Sequence, residues 1–121
     1  MESRLPHSPD FGSRHPGPEW MDFGLSESQK RLNYQEIDRI NRFMGVYETL
    51  FQTLVRASKE HAHKPLRILE CGSGSGASMV AILKKAQKHH LSWEWTAVDV
   101  DPLACALAKE KLAKAGLSNQ A

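Results

Sequence analysis

No run of apolar residues in this chain approaches the ~18 needed to cross a bilayer. The amino-terminal stretch also lacks the apolar core of a signal peptide. A soluble, cytoplasmic protein is therefore the expectation, with no membrane partner. Cysteine is scarce: Cys71 and Cys105 are the two present, and they match neither a CxxC pair nor a zinc spacing. Two free thiols in a reducing compartment are expected. An excess of either charge is lacking too, with 16 Lys and Arg against 14 Asp and Glu. A formal net charge of +2 gives no electrostatic footprint for nucleic acid. His61 and His63 stand two apart, on different faces of a helix, and no carboxylate pattern joins them or His89, so no metal is expected.

What is present falls into three stretches. Residues 1–25 carry Pro6, Pro9, Pro16 and Pro18 with Gly12, Gly17 and Gly24 and read as a mobile arm, because proline removes a donor and fixes φ. Residues 26–64 read as a helical leader. Ser26 with Gln29 makes a capping box, and apolar residues from Leu32 to Val55 recur at gaps of mostly three and four. Gly45 interrupts that period, leaving one long helix and two joined helices equally open. Residues 65–121 read as a βαβα unit. A strand from Leu66 to Leu69 leads into a glycine loop, and a helix follows from about Ala77 to His89. A second strand, Trp93 to Val98, is rich in β-branched and aromatic residues. The last helix starts at Asp101 and Pro102 and stops at Gly116, each a favoured residue at its place. Lys84, Lys85 and Lys88 share the outer side and last turn of the middle helix. A solvated face is expected there, with a phosphate-binding patch as the alternative.

The chemistry concentrates where the first strand ends, in Glu70-Cys71-Gly72-Ser73-Gly74-Ser75-Gly76. Gly72, Gly74 and Gly76 leave a path along which a ligand can approach the backbone, and the first N–H groups of the next helix face that path. Glu70 beside it repels a pyrophosphate and suits an amino group or a sulfonium. Asp99 ends the second strand, where a carboxylate accepts from two ribose hydroxyls, and Val100 is placed to pack on an adenine face. These residues favour a sulfonium nucleoside. The loop also satisfies GxGxxA, so an NAD(P)-binding fragment stays open, as does a tight strand-to-helix turn with no ligand.

With Glu70, Gly72, Gly74, Gly76 and Asp99 in place, residues 66–116 resemble the class I S-adenosylmethionine-dependent methyltransferases. Leu69 to Gly76 is similar to that family's first motif and Ala97 to Asp101 to its second. Glu19-Trp20-Met21-Asp22 and Asn41 to Gly45 are similar, more loosely, to a helical leader in a bacterial subgroup that methylates small molecules. Cys71 departs from the small or apolar residue more usual there. The resemblance implies S-adenosyl-L-methionine as cofactor, with Gly72, Gly74 and Gly76 along its methionine and ribose, Glu70 at its amino end, Asp99 on the ribose and Val100 on the adenine. It implies methyl transfer to a small-molecule acceptor.

The expected fold class is therefore α/β: a Rossmann-like βαβα half-unit behind a helical leader, a truncated doubly wound sheet. In the family the strand beside the first one carries the acceptor site, and no such strand is legible here. No catalytic residue is assigned for that reason. The chain is expected to be inactive alone, marginally folded, and prone to self-association or to pairing with a completing chain. A non-catalytic Rossmann-like binding or interaction module is the competing reading.

Overall fold

The computed structural model describes residues 24–61 and 64–119. Most of the expected arm, the Glu19 to Asp22 likeness and His63 lie outside the described residues. Two helices come first, α1 (Glu27–Phe43) and α2 (Val46–Glu60). Strand β1 (Leu66–Cys71), helix α3 (Ala77–Lys88), strand β2 (Trp93–Val98) and helix α4 (Pro102–Ala115) follow. Of the two leader arrangements left open, the chain takes the broken one, and the break falls at Gly45.

Local chemistry accounts for the ends. At α1 the Ser26 side chain accepts from the Gln29 N–H, and the Gln29 side chain accepts from the Ser26 N–H. This reciprocal box satisfies donors that helix geometry leaves over. At α4 the Asp101 carboxylate accepts from the Leu103 N–H at 3.0 Å, and Gly116 closes the helix in left-handed backbone.

The two strands pair in parallel, with Leu66 opposite Trp93 and Cys71 opposite Val98. The first strand thus runs two residues past its expected end, because Glu70 and Cys71 still find partners in Ala97 and Val98. Side chains alternate across the pair. Leu66, Ile68, Trp93, Trp95 and Ala97 turn toward one core, shared with Phe51 of α2, Met79, Ile82 and Leu83 of α3, and Leu112 of α4. That core lies on a single side of the sheet. On the other side Leu69 is 66% and Val98 45% exposed, beside an Arg67–Glu94 ion pair at 3.3 Å. The described residues form a mixed α/β structure of four helices and a two-stranded parallel sheet, consistent with part of a Rossmann-like fold. No described helix is long and apolar enough to cross a membrane.

Gly76 sets how closely α3 approaches α4. Its φ is +74°, and a Cβ built there meets the Ala108 Cβ at 2.8 Å. Gly116 has a similar φ of +69° with open space around it. Gly116→Ala is expected to cost the left-handed strain alone, roughly 1–2 kcal/mol. Gly76→Ala adds overpacking of roughly 1–3 kcal/mol. Denaturant unfolding of the two variants checks this, and equal losses would show that the Ala108 contact yields freely.

Candidate functional site

A hollow of about 810 Å³ opens over the carboxyl ends of β1 and β2. The loop from Cys71 to Ser75 forms its floor, Asp99 to Asp101 just past β2 form one side, and α1 with the start of α2 forms the other. The loop is held by β2, the strand beside the one it leaves. The Gly72 and Ser73 N–H groups both donate to the Val98 carbonyl, at 2.8 and 3.1 Å.

Both expected carboxylates reach this hollow, and both are anchored. One Glu70 oxygen accepts from the Ser78 hydroxyl at 2.5 Å and the other from the Trp95 indole N–H at 3.2 Å. Glu70 thereby ties β1 to the first turn of α3 and to β2. Asp99 accepts from the Gly74 N–H at 2.8 Å with one oxygen and from the Asp101 N–H at 2.9 Å with the other. It clamps the loop. A carboxylate oxygen offers about two acceptor positions, so each acid retains capacity toward a ligand.

The glycines divide. Gly72 and Gly74 line the hollow, and a Cβ on Gly72 meets nothing within 4 Å. Gly76 does not line it, because its free side faces Ala108 of α4. Val100 lines the hollow and is 97% exposed, so none of the described residues covers its side chain.

Sequence reasoning missed the wall contributed by α1. Tyr34, Asp38 and Asn41 line the hollow from that helix. Their spacing of four and three marks one helical face, a signal masked by attention to apolar residues alone. A Cβ on Gly74 meets the Tyr34 ring at 3.3 Å, so the ring lies close over the loop. The Tyr34 hydroxyl donates to Asp101 at 3.2 Å, and Lys30 reaches the same carboxylate oxygen at 3.3 Å. Tyr47 of α2 donates to Asp38 at 2.7 Å.

The electrostatics have one sign. Asp38, Glu70, Asp99 and Asp101 line the hollow, and among its described lining residues none is basic. Burial works against the charged form of Asp101, but the Leu103 N–H, Lys30 and Tyr34 outweigh it and hold the carboxyl below its ordinary value. Burial pushes the Tyr34 phenol up to about 12, helped by the charge of Asp101 and the hydrogen bond to it. Tyr47 also rises to about 12, through burial and then its bond to Asp38.

No family model matches the chain. Among curated proteins, 5-methylorsellinic acid synthase of Aspergillus terreus is 37% identical over 59 residues. That match covers 49% of this chain and spans 2% of the synthase. Among solved structures, YjhP from E. coli is 28% identical, covering 61% of this chain and 26% of its own, with a TM-score of 0.44.

The two tyrosines are the chain's full complement, so alkaline titration reports them directly. Both phenols are raised by folding. The stability this contributes is complete below pH 10 and is lost as pH rises through about 12. Ultraviolet absorbance is expected to show no phenolate step near 10 in the folded chain and one there in denaturant. A step near 10 before unfolding would place both hydroxyls in solvent.

Proposed function

We propose that the chain is the cofactor-binding part of an S-adenosylmethionine-dependent methyltransferase that acts on a small molecule. The observation that carries the reading is the charge of the hollow: no cation among the described lining residues, and four carboxylates of which Glu70 and Asp99 form no ion pair with a described residue while Asp38 and Asp101 pair with Arg42 and Lys30. S-adenosylmethionine brings a sulfonium and an ammonium, and these gain from nearby carboxylates. A dinucleotide brings a pyrophosphate, which these carboxylates repel and which no described lining cation offsets. The partial likeness to a synthase named for a methylated product agrees with the proposal.

The residues fit such a group. Gly72 leaves open space where a side chain would block approach to the loop. Glu70 takes the ammonium end, directly or through water, while Ser78 and Trp95 keep its carboxylate from swinging. Asp99 accepts from the ribose hydroxyls with the acceptor capacity that the Gly74 and Asp101 N–H groups leave. Val100 offers its exposed side chain to the adenine. When bound, the cofactor supplies an electrophilic methyl carbon. The chain's own contribution is position and charge, which convert an encounter between two molecules into a held geometry.

Calorimetric titration of the full chain with S-adenosylmethionine and, in parallel, with NADP tests the reading. Binding of the first in preference to the second is expected. Asp99→Ala is expected to weaken that binding by ~2–4 kcal/mol, through loss of two hydrogen bonds to a carboxylate. Preference for NADP, or an affinity indifferent to Asp99→Ala, would overturn the proposal.

A further inference from the structure

A second hollow, of about 230 Å³, lies where α1, α3 and α4 meet, and its charge is opposite to that of the first. Arg42 comes from α1, Lys84 from α3, and Lys111 and Lys114 from α4, with Asp38 as the one carboxylate among the described lining residues. Asp38 is already engaged: Arg42 pairs with it at 3.1 Å and the Tyr47 hydroxyl donates to it at 2.7 Å. Lys84, Lys111 and Lys114 form no ion pair among the described residues. The neighbouring Lys85 differs. It pairs with Glu48 of α2 and lies over the Phe51 ring, so the three lysines of α3 are not one solvated face.

Lys111 is the centre of the arrangement. Its ammonium donates to the Ser75 hydroxyl at 2.7 Å, a neutral acceptor that is 4% exposed. An ammonium has three donors, so two remain without a described protein partner. Burial works against its charge, and the Arg42 guanidinium adds to that effect against the pull of Asp38.

We propose that this hollow binds a phosphate group, with Lys84, Lys111 and Lys114 donating to its oxygens. A phosphate dianion supplies acceptors for three ammonium groups at once, and such charge-assisted bonds are the strong class. Val80 and Ala115 in the lining leave room without offering a competing carboxylate. The two hollows share walls, since Asp38 and Ala77 line both. Ser75, the acceptor of Lys111, sits in the glycine loop under the first hollow. A phosphate at Lys111 is therefore linked to the loop through the Lys111–Ser75 hydrogen bond.

Amide NMR of the full chain during titration with inorganic phosphate, at constant chloride, tests this. Saturable shifts at Ser75 and Ala77 are expected. The Lys84→Gln, Lys114→Gln double variant changes two exposed side chains and is expected to keep its spectrum while losing about tenfold or more in phosphate affinity. Lys111→Gln is expected to lose at least as much. A parallel titration with ribose 5-phosphate separates the sources: tighter binding than inorganic phosphate marks the ester of a larger ligand, and equal binding marks the free ion. Absence of saturable shifts in the parent chain, or an affinity that both variants leave unchanged, would overturn the assignment.

Discussion

Six residue pairs, Leu66 with Trp93 through Cys71 with Val98, set the height of Glu70 and Asp99 in the larger hollow. Because the strands run in parallel, both release the chain at the same end. Glu70 and Asp99 come from different strands yet stand over one opening. The Val98 carbonyl then takes two N–H groups from the loop, so the second strand supports what leaves the first. A slip of β2 by one residue would turn Trp93 and Trp95 out of the core and shift Asp99 along the strand relative to Glu70. Burial of two indoles thus holds the acids in place.

The same pairing explains why the site is anchored so densely. Each acid bonds to the protein at both of its oxygens, and one bond of each, from Trp95 to Glu70 and from Gly74 to Asp99, joins residues 25 apart in sequence. Glu70 acts as a strut between strand and helix, Asp99 as a clamp on the loop. Preorganisation of this kind limits the ordering that a ligand must impose when it binds.

Much of the fold was legible because it is local. The Ser26–Gln29 box, the Asp101–Pro102 start and the Gly116 stop each depend on neighbours within four residues, and all three stand as expected. The strands were legible from their β-branched, apolar and aromatic residues, although the end of β1 was set two residues short, since pairing with Ala97 and Val98 is not a local property. The site was legible in composition and less so in arrangement. Glu70, Gly72, Gly74, Asp99 and Val100 meet at one hollow. Gly76 serves helix packing instead, which only the position of Ala108 reveals. The bonds from Trp95 to Glu70 and from Tyr34 to Asp101 span 25 and 67 residues, beyond the reach of any periodicity.

Helix α1 differs in kind from the other walls. It buries no residue fully, and its described polar ties to α4 and its cap run through Lys30 and Tyr34 to Asp101 and through Arg31 to Glu110 at 3.9 Å. The core under the sheet is apolar and indifferent to dissolved ions, whereas partly exposed ion pairs are screened over about 8 Å at physiological ionic strength. The hollow therefore has one wall whose hold depends on salt and a floor whose hold does not. Dissolved ions thus act on the polar ties of one wall, most on the exposed Arg31–Glu110 pair, and leave the apolar floor untouched.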